Sequence, residues 1–221
     1  MCKINTVIFD MDGTVLDTLE DLTTSMNYVM DEFGFPSHTN EEYRLVFGNA
    51  IRYALEHTVP GGTPPEVIDR MIPVFKEHYD KHCLDKTRPY EGIIPLMKQL
   101  KARGFKMAIV SNKIDSAVRE LNERFFSEAV NVAIGERPGL KRKPAPDMVI
   151  QAMSDLKSLP GESIYIGDSE VDLATAKNSG LPCISVLWGF RDKAYLKETG
   201  ASVFAETPKE LLLLLESYRT P

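Results

Sequence analysis

The sequence predicts an α/β protein: a doubly wound, mostly parallel sheet with an all-helical cap domain inserted after its first strand. Three observations carry that prediction. Val7, Ile8 and Phe9 form an apolar run with no polar alternation, the pattern of a parallel strand covered on both faces. Residues from about 16 to 86 show helical spacing and no convincing strand. From Pro89 onward, strand-like runs alternate with helical ones, as repeated β-α units require. The implied division is a core of residues 1–15 and 88–221 and a cap of residues 16–87. Its hinges fall near Asp17-Thr18 and Thr87-Pro89.

Within the cap, residues 20–33 carry Leu22, Met26, Val29, Met30 and Phe33 at helical spacing, and Gly34 and Pro36 end the run. Thr39 and Asn40 precede Glu41 and Glu42 as N-cap candidates. Residues 51–59 are helical up to Pro60-Gly61-Gly62. Residues 66–83 form a third helical pattern that Pro73 should kink or split. The core continues as helix 93–103, strand 106–110, helix 114–126, strand 130–134, helix 147–156 and strand 164–166. Helix 171–178, strand 184–186, a short strand at 203–204 and helix 209–218 complete it.

Composition sets bounds on partners. With 221 residues, 43% of them hydrophobic, the chain is long enough for a sizeable core. A formal net charge of -6 argues against a nucleic-acid binder with a broad basic surface. The longest apolar run, Leu211 to Leu215, falls far short of the roughly 20 residues that span a bilayer. Asp10 and Asp12 interrupt any signal-peptide pattern. Cys2, Cys83 and Cys183 match no zinc spacing; free thiols in a cytoplasmic protein are the expectation, with Cys183 packed in the interior.

Two acids directly after a greasy strand are hard to explain as structure, because Asp is costly to bury unpaired. In open α/β sheets ligands bind beyond the carboxyl ends of the strands. Four polar segments should converge there: Asp10-Met11-Asp12-Gly13-Thr14, Ser111-Asn112-Lys113, the loop Lys143-Pro144-Ala145-Pro146-Asp147, and Gly167-Asp168-Ser169-Glu170-Val171-Asp172. Together they supply carboxylates, a hydroxyl and an ammonium, an inventory suited to phosphoryl transfer.

In order and separation these segments resemble the four motifs of the haloacid dehalogenase superfamily, whose core is Rossmann-like and whose cap is inserted just after the first motif. Residues 17–22 and 46–49 most resemble the phosphoglycolate phosphatases of that superfamily. The resemblance implies that Asp10 is a nucleophile forming an aspartyl-phosphate. It makes Asp12 the acid and base that protonates the leaving group and deprotonates water, and also a metal ligand through its carbonyl. Ser111, Asn112 and Lys143 would bind the phosphoryl group, with Asn112 either a donor or a loop brace. Asp10, Asp12 and Asp168 would hold the metal. Hard oxygen ligands favour Mg²⁺. Two unit charges about 4 Å apart repel by roughly 4 kcal/mol at an effective dielectric of 20, so the acids need that cation. Thr14 braces the turn or touches substrate, and Asp172 orients water or Lys143, or simply favours a helix start. Glu170 reads as a first-turn helix acid and Lys113 as a surface lysine.

The expected partner is a small phosphorylated metabolite, phosphoglycolate first and pyrophosphate second, with Gly48, Asn49 and Arg52 as cap residues that read it. Trp188-Gly189-Phe190 lines the entrance or packs, and the four histidines suit surface or packing roles. A sugar-phosphate phosphatase, or a phosphomutase despite the absence of His between Asp17 and Thr24, is an alternative. A non-catalytic phosphate-binding protein is a further one, opposed by the intact Asp10, Asp12, Lys143 and Asp168. Oligomeric state is not legible.

Overall fold

The computed structural model describes residues 4–219, so Cys2 and the two ends of the predicted core lie outside the described residues. The chain opens with β1 (Thr6–Phe9) and a two-residue strand β2 (Leu16–Asp17). Four helices follow: α1 (Leu19–Glu32), α2 (Asn40–Arg44), α3 (Ile51–Thr58) and α4 (Pro65–His82). The second stretch runs β3 (Arg88–Pro89), α5 (Ile93–Ala102), β4 (Lys106–Ile114), α6 (Asp115–Phe125), β5 (Val132–Glu136) and α7 (Asp147–Asp155). It ends with β6 (Ser163–Gly167), α8 (Glu170–Asn178), β7 (Cys183–Val186), α9 (Lys193–Glu198), β8 (Phe204–Ala205) and α10 (Pro208–Ser217).

The main sheet has the order β5-β4-β1-β6-β7-β8 and is parallel throughout. Successive residues of β1 feed opposite faces, as the strand's period of two dictates. Val7 and Phe9 join a core with α5, α6 and α10, while Ile8 joins one with α7 and α8. That two-sided burial is why β1 carries no polar alternation. The chain leaves β1 toward β4 and β5 and later returns to β1's other side as β6, so β1 lies at the topological switch point, where such sheets bind ligands. Phe9 is in register with Ile109 and Ile166, which brings Asp10, Ser111 and Asp168 to one edge.

Helices α1 to α4 bury a separate core of Met26, Met30, Tyr43, Leu55, Met71, Phe75 and Tyr79, which Phe190 of the second stretch joins. Thr39 caps α2 through a reciprocal box with Glu42. Contrary to expectation, Pro73 does not split α4. Its apolar stripe Ile68, Met71, Phe75 and Tyr79 is buried, and that packing outweighs one missing helix hydrogen bond.

Other elements differ from the sequence reading for identifiable reasons. Leu16–Asp17 and Arg88–Pro89 pair antiparallel where no strand was expected, a ladder between segments far apart in sequence. Strand β4 runs through Ser111-Asn112-Lys113 instead of ending at Val110, with a register shift between Val110 and Ile114. Strand β5 lies two residues later than predicted, because pairing with β4 begins at Val132 while Val130 packs in the core. Helix α9, capped by Asp192, is additional.

The two chain crossings beside β2 and β3 are tied by one buried acid. Asp21 accepts from the backbone N–H groups of Lys86 at 3.0 Å and Thr87 at 2.8 Å. Removing it leaves one buried donor, the Thr87 N–H, and one part-buried donor, the Lys86 N–H, unmatched, at about 1–3 kcal/mol each. Asp21→Ala should therefore lower the urea midpoint by the equivalent of about 2–4 kcal/mol. Glu20→Ala, which breaks only an exposed pair with Lys86, should leave it nearly unchanged.

Candidate active site

Beyond Phe9 the chain turns on Met11, whose carbonyl accepts from Val15 and Leu16 at 3.0 Å. The turn needs Gly13, at φ 79°, where a Cβ would overlap the Asp168 carboxylate. The loop carrying Asp10 and Asp12 is thus pressed against the end of β6. Thr14 donates its hydroxyl to Asp168 Oδ1 at 2.9 Å, and the Phe190 N–H donates to Asp168 Oδ2 at 2.7 Å. Trp188 Nε1 donates to the Thr14 carbonyl at 2.9 Å. Gly189 passes so close that a Cβ there would overlap both Asp168 and the Gly13 carbonyl. Thr14 therefore braces the turn, and Trp188-Gly189-Phe190 shapes the site by packing against it.

Lys143 reaches the same point from its loop. Its buried ammonium donates to Asp10 Oδ1 at 2.7 Å, Asp172 Oδ1 at 2.8 Å and the Tyr165 hydroxyl at 3.2 Å. Asp172 also accepts from the Ser169 hydroxyl at 2.6 Å and the Ser169 N–H at 3.1 Å. Its place is to hold Lys143 while opening α8. Asn112 donates to the Lys143 carbonyl at 3.2 Å, which makes it a loop brace. Ser111 is buried beside Asp10 along the cavity wall.

Burial pushes the Asp10 carboxyl well above the usual carboxylate range; Asp172 adds to the push and Lys143 opposes it. Burial, then Asp172, raises Asp168 to about 7 against the hydrogen bonds from Phe190 and Thr14. Burial alone would discharge Lys143, but Asp10 and Asp172 hold its ammonium well above the ordinary value. Asp10, Asp168 and Asp172 each offer an oxygen within 4.8 Å of the others. Asp172 already accepts from Lys143, Tyr165, Ser169 and the Asp168 N–H. These are more donors than meet Asp168 or Asp10, which leaves Asp10 and Asp168 as the carboxylates better placed for a divalent cation. Buried oxygen donors that resist losing their protons fit a hard cation.

A cavity of about 80 Å³ opens over these groups. Asp10, Asp12, Ser111 and Lys143 line its floor, and Phe47, Gly48, Asn49, Phe75 and Tyr79 line it from the helical layer. Gly48 and Asn49 are thus brought to the site, with Asn49 Nδ2 donating to Glu170 at 3.2 Å. Arg52 is not. Its guanidinium pairs with Glu56 at 3.4 Å and with Asp69, on the outside of the helical layer.

Three features escaped the sequence reading. The Lys113 side chain is only 4% exposed and pairs with Asp12 at 3.0 Å. Ser111 and Lys113 are two residues apart, so a strand extended through them places both on one face; ending the strand at Val110 hid that. Glu170 does more than open a helix, since it pairs with Arg191 at 2.9 Å. Arg191 in turn donates to the carbonyls of Arg44 and Phe47 at 2.7 and 2.9 Å, fastening the helical layer to the sheet. The histidines take packing contacts, His78 lying between Tyr28 and His82. Cys83 is buried, and Cys183 is half-buried against the α7–α8 core.

The raised carboxyls set a pH dependence for the metal-free protein. An unfolded Asp titrates near 3.9, so between that value and about 7 the folded chain holds the extra proton at Asp168. Stability should fall as pH rises from about 4 to about 7, by up to about 4 kcal/mol in all, and level off above that. Urea midpoints in EDTA should be lower at pH 8 than at pH 5.5, and a divalent cation bound at the site should raise the pH 8 value. Asp168→Asn should flatten the slope, whereas an unchanged slope in that variant would contradict the assignment.

Known proteins resemble this chain over most of its length. A crystal structure from Lactobacillus delbrueckii subsp. bulgaricus, provisionally named a phosphoglycolate phosphatase, matches with a TM-score of 0.92 and 36% identity, covering 96% of this chain and 98% of that one. The phosphoglycolate phosphatase of Aquifex aeolicus is 26% identical over 185 residues, 83% of this chain and 85% of its own. Pyrophosphatase PpaX of Halalkalibacterium halodurans is 26% identical over 211 residues, 95% of this chain and 96% of its own. Residues 7–186 match the family model of the haloacid dehalogenase-like hydrolases. By that match, and by the parallel sheet that carries it, the chain belongs to the haloacid dehalogenase-like hydrolase family.

Proposed function

We propose that this protein is a Mg²⁺-dependent phosphatase of a small phosphorylated metabolite, with phosphoglycolate as the leading substrate. The observation that carries this reading is the convergence of Asp10, Asp12, Ser111 and Lys143 on one small cavity, with a carboxylate oxygen of Asp168 within 4.8 Å of Asp10. The division of labour is a core of residues 1–15 and 88–221 that performs the chemistry and a cap of residues 16–87 that covers it.

Asp10 attacks phosphorus through a carboxylate oxygen, forming the aspartyl-phosphate as the bond to the leaving oxygen breaks. Asp12 gives its proton to that oxygen. It then takes one from the water that attacks the phosphorus, releasing inorganic phosphate and restoring Asp10. Ser111 donates to one non-bridging oxygen, and Lys143, held by Asp172 and Tyr165, shifts the donor it shares with Asp10 to another as Asp10 attacks. Mg²⁺, held by Asp10, Asp168 and the Asp12 carbonyl, would supply charge neutralisation at the phosphoryl group.

The cavity's size supports a small substrate. At about 80 Å³, and with one water needing roughly 10–15 Å³ by the same measure, it holds about half a dozen heavy atoms without rearrangement. Phosphoglycolate and pyrophosphate, with nine non-hydrogen atoms each, exceed that by far less than a sugar phosphate does. The name of the Aquifex aeolicus relative favours phosphoglycolate. Pyrophosphate is a second reading, favoured by the likeness to pyrophosphatase PpaX over 95% of this chain. Neither nucleic acid nor membrane enters this function, and its proposed place is the cytoplasm. Among the described residues no helix is long and apolar enough to cross a membrane.

Two measurements test the proposal. Turnover of para-nitrophenyl phosphate should require Mg²⁺, stop in EDTA and fall by roughly 10³-fold or more in Asp10→Asn. Ranking phosphoglycolate, pyrophosphate and sugar phosphates by kcat/KM should put phosphoglycolate first. Absence of turnover with every phosphate compound would sink the enzyme reading, and a low rank for phosphoglycolate would sink only the substrate.

A further inference from the structure

The cavity contains two buried lysines in opposite states. Lys143 uses its three donors on Asp10, Asp172 and Tyr165. An ammonium has three donors, yet Lys113 makes one side-chain hydrogen bond among the described residues, to the Tyr79 hydroxyl of α4. Its 3.0 Å ion pair with Asp12 lacks hydrogen-bond alignment, and Asp12 Oδ1 is buried with no hydrogen-bond partner. The Tyr79 ring faces the ammonium with its centroid 4.1 Å away, attraction without a matched donor. A cation this buried is costly unless its donors are met.

The surroundings say what would meet them. Lys113 lines the same cavity as Asp10 and Ser111, and its backbone N–H donates to Ser111 Oγ at 3.1 Å. Lys76, one turn before Tyr79 on α4, lines the cavity too and has no ion pair among the described residues. The carboxylates along the wall are Asp10, Asp12 and Glu136. The cation bonded to Asp10 therefore has each of its donors engaged before substrate arrives, while a second, two residues after Ser111 along the chain, has donors to spare.

We propose that Lys113, supported by Lys76 and Tyr79, is the specificity-determining residue for a second anionic group on the substrate, a carboxylate or a second phosphoryl group beyond the one that reacts. This deepens the phosphatase reading and rests on it. A neutral leaving group leaves the spare donors unmatched, whereas an anionic one pairs with them. Charge-assisted pairs of this kind discriminate by roughly 10–100-fold.

The test compares phosphoglycolate and pyrophosphate with ethyl phosphate, a small ester without the second charge. Wild-type protein should prefer at least one of the two anionic compounds over ethyl phosphate by tenfold or more in kcat/KM, and the better of the two names the source of the charge. Lys113→Met should erase most of that preference, mainly through KM, and Lys113→Arg should keep most of it. Equal losses on all three substrates, with the preference intact, would make Lys113 a general support of the site and overturn the proposal. If Lys113→Met does not fold, inhibition of the wild-type protein decides. The carboxylated 3-phosphonopropionate should inhibit at least tenfold more tightly than propylphosphonate, and equal inhibition overturns the proposal. Wild-type turnover of para-nitrophenyl phosphate separates the two failures, because its absence sinks the phosphatase reading itself.

Discussion

One ammonium among three buried carboxylates is the constraint around which this molecule is organised. Asp10, Asp168 and Asp172 lie within 4.8 Å of one another, and Lys143 touches two of them. Burying a charge costs several kcal/mol even after relaxation, so the protein must supply partners. Ser169 and Tyr165 serve Asp172, and Thr14 and the Phe190 N–H serve Asp168. What remains is an excess of negative charge that one lysine cannot cancel. The same excess that raises the carboxyls in the metal-free protein makes the site a receptor for a hard cation.

That cluster also explains why the surrounding backbone is so constrained. Gly13 and Gly189 press against Asp168 from two sides, where any side chain would collide. The helical layer is then fastened over the result by Arg191, which bridges Glu170 on the sheet side to the carbonyls of Arg44 and Phe47. Asp21 ties the crossing strands at the layer's base. Phe47, Phe75 and Tyr79 of that layer line the cavity, and such low-dielectric walls strengthen the charge interactions beside them.

Much of this arrangement was legible because its causes are local. Burial on both faces shows directly in Val7, Ile8 and Phe9. The polar segments after the strands show in Asp10, Ser111 and Asp168. Helix ends show in Thr39 with Glu42. What escaped was set by partners distant in the chain. Lys113 resembles any exposed lysine until Asp12 and Tyr79 are placed around it. Arg52 stands at the position expected to read substrate, yet Asp69 takes its guanidinium. Pro73 is a helix breaker by local rule, and only the buried stripe around it keeps α4 in one piece.

By itself, then, the sequence determined the layered α/β class, the helical insertion and the set of acids, hydroxyl and lysine that meet at the sheet edge. Those follow from hydrophobic period and from the cost of placing charge after a buried strand, both properties of short segments. The tertiary structure alone decided which cation is saturated and which has donors to spare, which cap residues face the cavity, and how tightly the layer is fastened. These depend on distances between groups far apart in the chain. No local pattern encodes whether a lysine ends in water or beside a buried carboxylate.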